Sequence, residues 1–146
     1  MPLSLRESIA KTRPLPRTDA VLMGRAELLA PGDRDLLEAV LIRGQPAAAL
    51  GRIMGVPGAR VRKRIRRLCH RLTSAEFLDA ARSLTYLARA DAKLAKLHFC
   101  QGLSQRSLRE AMGLSRHALR RRLDGVQAQI ATVKRLRLAR QKGGHR

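Results

Sequence analysis

The sequence predicts an all-α chain, and three observations carry that reading. Apolar residues recur at spacings of three and four, and no β-branched alternation of period two is present. Glycines stand at the ends of the apolar segments, where a left-handed residue closes a helix. The chain also matches itself at an offset of 58 residues. Gly44 falls on Gly102, Leu50 on Leu108, Gly55 on Gly113 and Val61 on Leu119, followed by Ile65 on Leu123, Leu68 on Val126 and Leu72 on Ile130. Upstream, Leu36 meets Leu94, Leu41 meets Phe99, and Ile42 meets Cys100. An internal repeat of this length predicts two copies of one supersecondary unit.

The elements follow in order. Residues 1–17, with Pro2, Pro14 and Pro16, read as a flexible arm. A helix over 19–30, started by Thr18 or Asp19, precedes the first unit, 33–72. Ser74, followed by Glu76 in the first turn, caps a helical connector over 75–88. In the second unit, a helix over 91–101 stops at Gly102, and Ser104 caps a short helix over 105–112 with Leu108, Ala111 and Met112 inward. Gly113 makes a sharp turn, Leu114 plugs its angle, and Ser115 caps a third helix that buries Leu119, Leu123 and Val126. In the first unit Pro46 and Pro57 replace the capping serines, at positions where proline suits the first helical residue. The predicted organisation is therefore an arm (1–17), a first helix-turn-helix unit with its preceding helix (18–72), a second such unit (73–130), and a basic C-terminal helix or tail (131–146).

Composition narrows the partner. The 146 residues carry 31 Lys plus Arg against 11 Asp plus Glu, a net charge of +20. The charge is concentrated: 33–72 holds ten basic and three acidic residues, 91–130 eight and three, and 131–146 six and none. A polyanion is the expected ligand. Only Phe77, Tyr86 and Phe99 are aromatic, which excludes the paired stacking platforms of single-strand readers. No apolar run suits a membrane span, no signal-peptide stretch opens the chain, and two cysteines make no disulfide framework, so a reducing cytoplasm is expected.

The candidate binding residues lie on the two third helices. In the second unit Arg116, His117, Arg120 and Arg121 face outward. In the first, Arg60, Arg62, Lys63, Arg64, Arg66 and Arg67 make six basic residues in eight, with no acid at helical spacing; of these, Arg60, Arg62, Lys63, Arg66 and Arg67 are the candidate DNA contacts. His98, Cys100, Cys69 and His70 have no metal-ligand spacing, and core packing is the better reading of Cys100. No phosphate loop or catalytic constellation is present, so no enzyme, cofactor or small-molecule substrate is expected.

The run Leu97-His-Phe-Cys-Gln-Gly-Leu-Ser104, with Leu108, Met112-Gly-Leu-Ser115 and Leu119-Arg-Arg-Arg-Leu123, resembles region 4 of bacterial sigma-70-family factors, and shades into the LuxR-type module. Leu36-Leu-Glu-Ala-Val-Leu-Ile-Arg-Gly44 through Val61-Arg-Lys-Arg-Ile65 is similar but weaker, and together the two cover about 80 residues. The resemblance implies a double-stranded DNA reader of the bacterial, nucleoid-associated cytoplasm that touches RNA polymerase. An activator of prophage-like or gene-transfer-agent genes would look similar. The aromatic-rich, promoter-melting part of such factors has no counterpart here. An excisionase-like architectural or recombination accessory protein, without polymerase contact, shares the charge and the pattern.

Two geometric expectations complete the reading. A connector of about 14 residues is roughly 21 Å long, which would set the third helices about one DNA turn, ~34 Å, apart and give a site of about 20 base pairs. Beyond the repeat, Ile130, Val133 and Leu136 extend the apolar stripe, so the third helix should run to about residue 138. These three residues would need a further surface: the first unit, RNA polymerase or a homodimer partner.

Overall fold

A computed structural model describes residues 18–144; the arm predicted over 1–17 and the last two residues of the tail lie outside them. The described residues are all-α, with eight α-helices and no strand. The helices are α1 (Thr18–Ala26), α2 (Pro31–Leu41), α3 (Ala47–Met54), α4 (Gly58–Leu72), α5 (Ala75–Ser83), α6 (Arg89–Ala95), α7 (Gln105–Met112) and α8 (Arg116–Gly143). The chain divides into two compact units between Thr73 and Ser74. No described helix is long and apolar enough to cross a membrane.

In the first unit α1, α2 and α3 pack around α4. Leu22, Leu37, Val40, Leu41, Val61, Ile65 and Leu72 are all buried to 2% exposure or less. α1 stops at Ala26, four residues before the end the sequence suggested. Tight turn bonds from the Leu28 amide to the Arg25 carbonyl (3.1 Å) and from the Leu29 amide to the Ala26 carbonyl (3.0 Å) close it, and Ala30 then runs extended (φ −59°, ψ 145°) into Pro31, which opens α2. Pro46 and Pro57 also differ from expectation. Both are N-caps in extended geometry and offer no side-chain cap, so α3 and α4 begin one residue later. α4 is held at its far end by Arg25, whose Nη1 donates to the Leu72 carbonyl at 2.9 Å, satisfying an acceptor that the helix leaves open.

The second unit builds the same arrangement with better caps. Ser74, Ser104 and Ser115 accept from the amides of Phe77, Ser107 and Ala118 at 3.1–3.2 Å, the three caps expected from sequence. Gly55 and Gly113 both lie in the left-handed region (φ 71° and 64°) and close α3 and α7. Of the apolar pairs named above, from Leu36 and Leu94 to Leu72 and Ile130, all are buried in both units except Ile42 and Cys100. Cys100 is buried, whereas Ile42 is 56% exposed. A π turn spans Lys96–Cys100, closed by the Gln101 amide on the Lys96 carbonyl at 2.8 Å; the matching bond, from the Arg43 amide to the Glu38 carbonyl at 3.1 Å, closes α2, so the wide closing bond is common to both units.

The connector and the tail require correction. The helix starting at Ser74 ends at Ser83, not at residue 88. Ser83 turns its hydroxyl back to the Asp79 carbonyl at 2.7 Å, and a single 3₁₀ turn, Leu84–Tyr86, follows before extended Leu87 and Ala88. α5 packs on the π turn and on α8, so it belongs to the second unit and is no free-standing rod. The ~34 Å spacing derived from its length loses its basis. α8 runs through Gly125 to Gly143, beyond the expected 138. Ile130 is covered by its own unit, and Lys134 reaches Asp79 of α5 at 3.0 Å. Only the last part of the stripe stays open, with Leu136 65% exposed. Ala111, expected inward, is exposed; α7 has barely two turns, and Leu108 alone fills its core position.

Candidate nucleic-acid interface

α4 buries Val61, Ile65, Leu68, Cys69 and Leu72 along one face. On a 3.6-residue period the opposite face carries Lys63, Arg66, Arg67 and His70, and all four are exposed. Arg60 and Arg62 lie on its shoulders. Arg64 is set apart: its Nε donates to Asp33 Oδ1 at 3.0 Å and its Nη2 contacts the same oxygen, tying α4 to the first turn of α2. Asp33 is 31 residues away in sequence, which hid the pairing from a search at helical spacing. Among the described residues no acid pairs with Arg60, Arg62, Lys63, Arg66 or Arg67. Five cations without local compensation favour a polyanionic ligand through counterion release.

This division predicts opposite behaviour for two neighbouring arginines. Arg64→Ala should lower the melting temperature through loss of a part-buried charge pair of about 1 kcal/mol, with the salt dependence of duplex binding unchanged. Arg67→Ala should leave the melting temperature alone and weaken duplex binding. Thermal denaturation and anisotropy titrations on both variants check the pair.

On α8 the buried line is Leu119, Leu123, Val126 and Ile130. The outward face opposite it carries His117, Arg121 and Asp124, with Arg120 beside them, all exposed. Asp124 escaped the sequence reading, although the offset of 58 places it against Arg66. Where the first unit presents an unbroken basic stripe, the second presents a mixed one.

Arg116 has a different setting. With Gln105, Arg106 and Arg109 of α7 it lines an open cleft of about 500 Å³. Arg106 makes a long contact to Glu110 (3.5 Å) with both side chains exposed, whereas the Nε of Arg109 is buried without a hydrogen-bond partner. Gln105, Arg106 and Arg109 were also missed from sequence, because they are not on the third helix. The repeat held a signal all the same. The four lining positions match Ala47, Ala48, Gly51 and Gly58 in the first unit. There the two helices meet backbone to backbone: a Cβ on Gly51 would stand 2.5 Å from the Val56 carbonyl, and one on Gly58 would stand 3.1 Å from Ala48 Cα.

The histidines and cysteines do not converge. Among the described residues no group of three His, Cys, Asp or Glu side chains could hold a metal ion. His98 directs Nδ1 at the Leu103 carbonyl (2.9 Å) and stacks edge-on against Phe99. Burial pushes the Cys100 thiol up to about 11, partly offset by Lys96, which keeps it protonated at neutral pH. Comparison with known protein families, with curated proteins and with solved structures returned no match.

Proposed function

We propose that this chain is a sequence-specific, double-stranded DNA-binding transcription regulator, built from two helix-turn-helix units and recruiting RNA polymerase. The observation that carries the reading is the outward face of α4, where Lys63, Arg66, Arg67 and His70 stand exposed, with no acid paired to any of its candidate DNA-contacting residues. Such an unbroken basic face suits backbone phosphates and carries no base-specific pattern, so the first unit acts as a backbone clamp. The mixed face of α8 suits base reading. Arg120 and Arg121 can each pair with guanine, His117 reaches a base edge from the first turn, and Asp124 can accept from a cytosine amino group.

A protein partner is supported by a separate patch. Tyr86 is 70% exposed beside a groove of about 310 Å³ that it forms with Leu87, Gln129, Thr132 and Val133, and Leu136 continues that flank of α8. An accessory DNA-bending protein would not need this surface. Recovery of RNA polymerase by the parent chain, lost on Tyr86→Ser with Leu136→Ser, supports the activator reading; unchanged recovery, or none from the parent, favours the accessory one.

Footprinting on genomic DNA, with and without polymerase, tests the proposal directly. A discrete protected site is expected. Asp124→Ala should raise affinity for mixed-sequence DNA by up to about tenfold while narrowing the gap between the preferred site and others, since one repulsive carboxylate and one base contact are removed together. A variant with unchanged affinity and unchanged preference would take α8 off the duplex.

A further inference from the structure

We propose that the α7–α8 cleft of the second unit is a receptor for one phosphoryl group, gripped by Arg109 and Arg116 and flanked by Arg106 and Gln105. Four features converge on it. The cleft has a volume of about 500 Å³ and is lined by three guanidiniums and one amide. Its only paired cation, Arg106, is held by a long contact between exposed groups, which contributes little. Arg109 lines the cleft and its Nε makes no hydrogen bond within the protein, so its guanidinium is not committed to an internal partner at that nitrogen. Arg116 opens a 28-residue helix, so the positive end of its dipole adds to the field.

The two-unit comparison makes the site more than a basic surface. At the matching positions the first unit has Ala47, Ala48, Gly51 and Gly58, and the gap is sealed by backbone packing. The same helical frame is thus closed by small residues in one copy and opened and charged in the other. Guanidinium forks match the oxygen geometry of a phosphoryl group, and a concave wall of low dielectric strengthens the attraction. The chemistry is shared by a backbone phosphate of bound DNA and by a free phosphorylated molecule. The inference deepens the DNA reading in its first form and is independent of that reading in its second.

The experiment has two arms, both on the full chain at about 150 mM salt, where isolated surface contacts are screened. In the first, calorimetry measures inorganic pyrophosphate binding to the parent, Arg109→Ala/Arg116→Ala, Arg109→Lys and Arg43→Ala. One strong site is expected, weakened at least tenfold in the double variant, weakened also by Arg109→Lys because the fork is lost, and unchanged by Arg43→Ala, an exposed cation outside both candidate surfaces. In the second, phosphate-ethylation interference is mapped on the footprinted duplex. One ethylated position should abolish parent binding and have no further effect on the double variant. Circular dichroism confirms that the helices remain. Interference without pyrophosphate binding identifies the DNA backbone as the source. Pyrophosphate binding without any duplex binding identifies a free ligand and removes the DNA reading while the cleft stands. A double variant that matches the parent in both arms overturns the proposal.

Discussion

Binding to duplex DNA should fall about 10⁴-fold between 50 and 200 mM salt. If the two third helices and the basic end of α8 neutralise about 8 phosphates, log K against log salt has a slope near −7, which gives that ratio over a fourfold change. Arg60, Arg62, Lys63, Arg66 and Arg67 supply five of the contacts, and α8 with its extension supplies the rest. Equilibrium titrations at four or five salt concentrations measure the slope directly. A slope flatter than about −3 would mean that only one unit touches the duplex. Neutralising Arg66 and Arg67 together should reduce the slope by about 2, and equally for every sequence tested.

The second large effect separates reading from clamping. Arg120→Ala should cost roughly 1–3 kcal/mol on the preferred site and much less on others if it makes a bidentate guanine contact. Arg66→Ala should weaken all sequences alike. Arg116 lines the α7–α8 cleft, so Arg116→Ala should likewise weaken all sequences alike. Competition between preferred and scrambled duplexes, run on all three variants, provides the measurement. Specificity lost with Arg66 and kept without Arg120 would place the reader in the first unit.

The parts of this architecture that were legible in the sequence are those written in local spacing. Ser74, Ser104 and Ser115 announced their caps, Gly55 and Gly113 their turns, and the apolar pairs from Leu36/Leu94 to Leu72/Ile130 their shared core. What stayed hidden depends on contacts far apart in the chain or on hydrogen-bond pattern. Asp33 lies 31 residues from Arg64 and still removes it from the free cations. Cys100 is buried while its repeat partner Ile42 is 56% exposed, a difference that the matched spacing does not announce. Gln105, Arg106 and Arg109 look like an ordinary solvated face of α7 until Arg116 is placed beside them. The connector failed for a simpler reason. Its periodicity continues past Ser83, but the chain tightens there into a 3₁₀ turn and then runs extended at Leu87 and Ala88.

The continuity of α8 bears on the entropy of association. A basic tail that is unstructured must give up backbone freedom when it meets a ligand, at about 1–2 kcal/mol per residue fixed. Here Arg135, Arg140 and Lys142 already ride on the same 28-residue rod, about 42 Å long, that begins at Arg116. Their backbone freedom was surrendered when the second unit folded, with Ile130 buried and Lys134 anchored on Asp79. The cationic end of the chain is therefore preorganised, and its attraction to an anionic surface reaches the binding equilibrium without a folding penalty set against it.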